Sequence, residues 1–362
     1  MTDTIAFRKY HGTGNDFLVV DAEAADRAGL DEEGRRAFAI AHCDRDTGIE
    51  SPEGRRGADG VLFLEVDMAP DPTRVTMSLV QPDGSTAAMC GNGARVVAAW
   101  AFDRTGEAEF VIGTLAGDRR AAVDANGRDV TIEMGIPRFD PAGVPVDRSR
   151  SSDPAVRGSA TDPNEPLLRT EIEGLPVSAV NTGVPHAVAF VEDLPDSGDV
   201  DENDAITDID DVDLDAVAEP VRHADVFPEG ANVNLAQRVE YAPDDDDREF
   251  DGLVPTFRQR TFERGVEGET RSCGTGAVAI AAVARRLGLV DSTRIRARPP
   301  GGELEITVPD GGPATLAGPV TEEFSGEAAV DPDVDPETEA DARPAVDPGP
   351  DPGCGSTTTD PR

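Results

Sequence analysis

Met89-Cys90-Gly91-Asn92-Gly93-Ala94-Arg95 gains its meaning beside a second stretch, Ser272-Cys273-Gly274-Thr275-Gly276-Ala277. Both read Cys-Gly-X-Gly-Ala. In each, a polar loop leads into the cysteine and an Ala/Val-rich run of helical length leads out of it, residues 96–102 in one case and 278–287 in the other. Each cysteine is therefore expected at a helix N-terminus. There the free backbone N–H groups and the positive end of the macrodipole stabilise an anion, thiolate or carboxylate, and they are expected to lower the thiol pKa toward a reactive value. The glycine after each cysteine lets a ligand lie directly on the backbone.

The flanks repeat as well. His11-Gly12-Thr13-Gly14-Asn15-Asp16 reads as a turn between strands, and Asn181-Thr182-Gly183-Val184-Pro185-His186 answers it in the second half. Each turn is followed by a strand, a helical stretch (31–42, then 212–218), paired strands and a polar loop into the cysteine box. Strands are expected at 61–66, 75–80, 121–124, 130–134, 177–180, 187–191, 232–239, 256–262 and 301–308. Asp83-Gly84 and Asn126-Gly127 mark tight turns. The segments 46–57 and 140–166 read as surface insertions lacking periodicity. A duplicated domain follows: 1–126 carrying Cys90, 127–310 carrying Cys273, 311–326 a terminal strand returning to the first domain, and 327–362 an acidic disordered tail.

With 362 residues, the chain is long enough for two such cores. Its 72 acidic residues against 33 basic ones give a net charge of −39, and Lys9 is the only lysine. Such a surface repels nucleic acid and anionic membranes. At molar salt the Debye length falls to about 3 Å, so the charge reads as adaptation to a salt-loaded cytoplasm. Acidic tails alone would account for only part of it, because acidic residues are spread along the whole chain. Four cysteines do not make a disulfide scaffold, and neither Cys-x-x-Cys nor His-x-x-x-His spacing supports a metal site. No leader or membrane-spanning run is evident, which points to the cytoplasm and reduced thiols.

Two lobes closing with one thiol on each side of a ligand suit the inversion of a carbon acid. One cysteine, as thiolate, removes a proton; the other, as thiol, delivers one to the opposite face. With Lys9 in a strand, no lysine is placed to carry a pyridoxal-type cofactor, so a cofactor-free mechanism is expected. Cys43 reads as a small buried hydrophobe and Cys354 as an incidental thiol. A protein that merely clamps an amino acid between its lobes is the alternative from a different class.

Lys9-Tyr10-His11-Gly12-Thr13-Gly14-Asn15-Asp16-Phe17, Gly57-Ala58-Asp59-Gly60-Val61, the run from Pro82 through the first box to Arg95, Phe227-Pro228-Glu229-Gly230-Ala231-Asn232-Val233-Asn234, and Glu263-Arg264-Gly265-Val266 leading into the second box resemble, in collinear order over 5–326, the diaminopimelate epimerases. The resemblance implies an α/β (α+β) fold of two pseudo-symmetric domains, each a barrel-like, mostly antiparallel sheet around a central helix. It also implies conversion of LL- to meso-diaminopimelate in lysine biosynthesis without a cofactor. By that resemblance Cys273 accepts the proton of the LL substrate and Cys90 donates. Gly91, Asn92, Gly274 and Thr275 hold the reacting carboxylate; Asn15, Gln81, Asn232, Glu263 and Arg264 contact substrate; His186 and Glu263 poise the thiols. The partner is a small molecule, and a homodimer is compatible with the reading. Gln81 stands where the family commonly has Asn, and Val184 where it has the Asn of GlyAsnProHis, so recognition of the distal end departs from the pattern. Proline and hydroxyproline racemases are the runner-up, disfavoured by Asn92 in place of their His.

Overall fold

A computed structural model describes residues 4–152, 154–158, 162, 164–194, 208–239 and 254–330. The first half runs β1 (Thr4–Gly12), β2 (Asn15–Asp21), α1 (Ala22–Arg27), α2 (Glu32–Cys43), β3 (Val61–Asp67), β4 (Thr73–Val80), β5 (Thr86–Ala87), α3 (Gly91–Thr105), β6 (Glu109–Thr114), β7 (Gly117–Val123) and β8 (Asp129–Gly135). After α4 (Pro154–Gly158) and β9 (Thr170–Ile172), the second half runs β10 (Leu175–Asn181), β11 (Pro185–Phe190), α5 (Leu214–Arg222), β12 (Asn232–Arg238), β13 (Thr256–Glu263), β14 (Gly268–Thr270), α6 (Gly274–Arg286), β15 (Arg294–Arg298), β16 (Leu304–Thr307) and β17 (Ala314–Pro319). The last strand is β18 (Thr321–Ala329).

The halves match pairing for pairing. β1 and β2 form an antiparallel hairpin, β2 and β3 run parallel, β3 and β4 antiparallel, and β4 and β6 parallel across the helix between them. In the second half β10–β11, β11–β12, β12–β13 and β13–β15 repeat that sequence of senses. β8 then pairs antiparallel with β17, which joins the two curved sheets into one.

Each sheet wraps its own helix. α3 touches every long strand of the first half and is buried from Gly91 to Ala101, while α6 occupies the equivalent place in the second. The residue choice explains how: a helix enclosed on all sides must be apolar all round, and Ala and Val keep it thin enough for strands to approach. Strands facing a helix on one side alternate, as β8 does with Val130, Ile132 and Met134 inward. β2 is buried on both faces because α1 and α2 cover its outer side, so it is continuously apolar from Phe17 to Val20. One apolar core runs from α3 across the seam to α6, and two smaller ones lie under α1/α2 and around α5. Cys43 is fully buried in the first of these smaller cores.

Some readings are corrected. β18 continues through Gly326 to Ala329, paired along β1 from Thr4 to His11; backbone pairing to a neighbouring edge supplied order that the weak apolar pattern did not announce. The stretch 140–166 is not wholly surface: Val144 and Val156 are buried against the α5 core. β6, β9, β14 and β15 were not foreseen, being short or arginine-rich; β15 reads Arg-Ile-Arg-Ala-Arg. The acidic loop at 244–247, Cys354 and the tail from 331 lie outside the described residues.

Candidate active site

Cys90 and Cys273 are the N-caps of α3 and α6, both with extended backbone. Each Sγ accepts the N–H of the second glycine of its box, Gly93 or Gly276, at 3.4 Å. The glycines are required. A Cβ on Gly276 would lie 2.3 Å from Asn234 Oδ1, and one on Gly274 would lie 2.8 Å from the Leu316 side chain and 3.9 Å from the Gly91 backbone. The last contact shows that the two helix starts abut. Their positive ends and free N–H groups converge on one place.

Around this seam the predicted residues take definite positions. Asn92 donates through Nδ2 to Asn15 Oδ1 at 2.5 Å and to Ser272 Oγ at 3.2 Å, the second bond crossing between the halves. Thr275 Oγ1 lies 3.4 Å from Cys273 Sγ, and its carbonyl accepts from Thr182 Oγ1 at 2.8 Å, which ties the 181–186 turn to the second box. Asn232 accepts the Arg264 backbone N–H at 2.8 Å, while the Arg264 guanidinium rests on the Glu229 carbonyl. That guanidinium has no carboxylate partner among the described residues. Gln81 differs: its side-chain carbonyl accepts from Ser85 inside its own turn, at 3.3 Å. Val184 contributes its carbonyl to the Thr182 N–H at 3.3 Å and has no polar side chain to offer.

The electrostatics correct one expectation. Burial pushes the Cys90 thiol up to about 11, outweighing the Gly93 N–H that draws it down, and nearby Glu263 pushes further the same way. Burial raises Cys273 still more, with Glu263 adding to it and the Thr275 and Gly276 hydrogen bonds opposing. The helix starts do favour thiolate, but desolvation and a neighbouring carboxylate win, so both groups are thiols in the ligand-free protein. Glu263 is itself raised by burial, and Asp59 pushes it further.

His186 is fully buried on β11 beside Asn232 of β12. Its Nδ1 pairs with Asn234 Nδ2 at 2.9 Å, and Nε2 has no hydrogen-bond partner among the described residues. Burial, with the Arg264 charge, lowers it to about 3, so it is neutral. Asn234 is held in turn by Thr261, and Gln259 bonds both Thr261 and the Cys273 carbonyl. The histidine therefore belongs to a polar network behind the second box.

Sequence reading missed several supports. Asp59 accepts from Asn15 Nδ2 at 3.0 Å and the Asp16 N–H at 3.1 Å. Its position inside Gly-Ala-Asp-Gly was the available signal. Ser272 and Asn234 stood within quoted motifs without an assigned role, and Gln259 lay outside any motif. Among the described residues, no group of three His, Cys, Asp or Glu side chains is placed to hold a metal, and no helix is long and apolar enough to cross a membrane. A pair of thiols at abutting helix starts, with backbone donors for an anion between them, can exchange protons with a carbon beside a carboxylate.

The fold defines the class. A phenazine biosynthesis protein of the PhzF family from Bacillus anthracis superposes with a TM-score of 0.53, covering 90% of this chain and 99% of that one at 17% identity. This architecture is the epimerase and PhzF-like one of paired helix-centred sheets. Residues 7–139 and 178–322 match the diaminopimelate epimerase family. Proteins named diaminopimelate epimerase from Methanothrix thermoacetophila and Methanocella arvoryzae are 41% and 38% identical, over 84% and 90% of this chain and 88% and 98% of theirs. This chain belongs to the diaminopimelate epimerase family.

Proposed function

We propose that this chain is an isomerase interconverting LL- and meso-2,6-diaminopimelate in lysine biosynthesis, with Cys90 and Cys273 as the two proton-transfer groups and no cofactor. The observation that carries the two-thiol reading is the abutment of the two cysteine-capped helix starts at Gly91 and Gly274. The substrate α-carboxylate lies on the backbone N–H groups of the two boxes. Cys273, as thiolate, removes the α-proton; the electron pair is held as a carboxylate-stabilised carbanion; Cys90 gives its proton to the opposite face. The product leaves with one thiol and one thiolate exchanged, and the reverse reaction restores them.

Both thiols are raised in the free protein, so the thiolate must form on binding. The substrate α-ammonium placed near Glu263 offsets the carboxylate's share of that rise, and its positive charge in the buried site favours the thiolate. Arg264, free of any carboxylate partner among the described residues, suits a substrate carboxylate. Asn15 and Asn232 fix position, and the neutral His186 acts through the Asn234 network. Gln81 is turned into its own loop, which supports a distal subsite built differently from the family pattern.

The domain division at residues 126 and 310, the return of the last strand to the first domain, a cytoplasmic location and adaptation to high salt complete the reading. β18 along β1 supports the second of these, and the net charge of −39 supports the last. The test is proton NMR of LL-diaminopimelate in D2O with the protein, molar KCl and reductant, beside tubes of proline and hydroxyproline. Loss of the diaminopimelate α-proton with appearance of the meso isomer is expected. Exchange in the proline tubes alone would move the chain to the racemases. Cys90→Ala should abolish turnover, whereas a simple clamp would still bind.

A further inference from the structure

Arg95 is the largest fully buried side chain of the described residues, with 0% exposure, and it stands near the N-terminus of α3, just past its first turn. A cation there opposes the helix dipole, and burying a charge without an opposite one is costly. Yet no carboxylate lies within ion-pair distance among the described residues. Its partners are neutral oxygens: Thr13 Oγ1 at 2.9 Å, Asn92 Oδ1 at 2.6 Å and the Pro319 carbonyl at 3.2 Å; Nε has none. The slot is shaped for it. A Cβ on Gly318 would lie 2.3 Å from Nη1, and one on Gly12 would lie 3.5 Å from Nη2.

The contact with Asn92 has a directional consequence. Because the guanidinium donates to Oδ1, the amide must present its two Nδ2 hydrogens elsewhere, and they reach Asn15 Oδ1 and Ser272 Oγ. A flipped amide would set two donors against a cation. Through Asn92 the same charge reaches the box proposed to hold the substrate carboxylate, and it interacts electrostatically with Cys90.

We propose that Arg95 is a positioning residue of this reaction: its buried charge locks the Asn92 amide that ties the two helix starts together, and it stabilises the negative charge that develops between them. The proposal rests on the function proposed above. Burial holds Arg95 down to about 10, with Cys90 and Asp129 drawing it back up, so it remains a cation at neutral pH.

Three variants test it, read as turnover per folded molecule and as side-chain amide NMR of 15N-labelled protein. Arg95→Met removes charge and donors; Arg95→Gln keeps amide donors for Thr13 and Asn92 but no charge; Arg95→Lys keeps the charge. For Met and Gln, kcat should fall about 100-fold with KM changing far less, as for loss of a group that acts on developing charge. Lys should recover to within about tenfold of the parent by the same reasoning. The Asn92 Nδ2 hydrogens should be protected from exchange in the parent and the Lys variant, and exchange faster in the Met variant, which leaves Asn92 Oδ1 without a donor. Gln also serves if Met does not fold. A Gln variant with kcat within threefold of the parent, a Lys variant no better than Gln, or an Asn92 amide equally protected in all would overturn the proposal. A parent chain that exchanges no α-proton would refute the function itself, and the amide measurement would still decide whether Arg95 orients Asn92.

Discussion

The Asn92 amide of the first helix start donates to the Ser272 hydroxyl ahead of the second, 3.2 Å away across 180 positions of sequence. Both groups are buried, so the bond is shielded from water and fixes the two halves at the place where chemistry is proposed. Removing the hydroxyl leaves one Nδ2 hydrogen unpaired. Ser272→Ala should cost about 1–3 kcal/mol of stability, the penalty of a buried donor left unmade, measured by thermal unfolding in molar KCl. No change in melting temperature would mean that the seam is held elsewhere.

Glu263 is raised by burial, with Asp59 adding to the rise. A carboxyl raised in the folded state favours folding at low pH, and that contribution is lost as pH rises through the folded value. Glu263→Gln should therefore raise the melting temperature at neutral pH while lowering kcat/KM by about 10- to 100-fold, the range for a group that tunes proton transfer. Calorimetry and the exchange assay read both. Loss of stability together with activity would show that Glu263 is a structural group.

His186 runs in the opposite direction. Its folded value is near 3 against an ordinary 6.5, so its contribution is present above about 6.5 and drains as pH falls toward 3, where the unfolded chain binds the extra proton. The parent should lose stability across that window, and His186→Gln should lose less. Denaturant midpoints at pH 7 and pH 4.5 check this. Equal losses in both proteins would place the acid sensitivity in other groups, such as Asp16, which Arg45 and Lys9 hold below the usual carboxylate range against its burial.

The unbalanced charge of −39 gives a salt prediction. Lowering KCl from molar to about 0.01 M lengthens the Debye length from about 3 to about 30 Å, and the melting temperature should fall by about 10 °C or more. A melting temperature independent of salt would contradict adaptation to a salt-loaded cytoplasm.

Much of this architecture was legible in the chain because its signals are local. A Cys-Gly-X-Gly-Ala box followed by an all-apolar Ala/Val run specifies a capped, enclosed helix, and its recurrence specifies the duplication. What escaped depends on contacts across the fold. β15 is carried by pairing to β13 and β16 despite three arginines, and β18 by its register with β1. The thiol pKa values could not be read either: a helix start is visible in sequence, but the burial of Cys273 and the approach of Glu263 from β13 are tertiary facts. Asp59, Ser272 and Arg95 gain their roles only from what the fold sets beside them.

The most direct test of the two-thiol reading is the fate of hydrogen in the first turnovers. LL-diaminopimelate is incubated in D2O, quenched early, and both isomers are examined by NMR and mass. Two separate bases on opposite faces predict meso product carrying solvent deuterium at the inverted carbon while the remaining LL substrate is still unlabelled. Early meso product that retains the substrate's own α-proton would mean that one group serves both faces, and would contradict the roles assigned to Cys90 and Cys273.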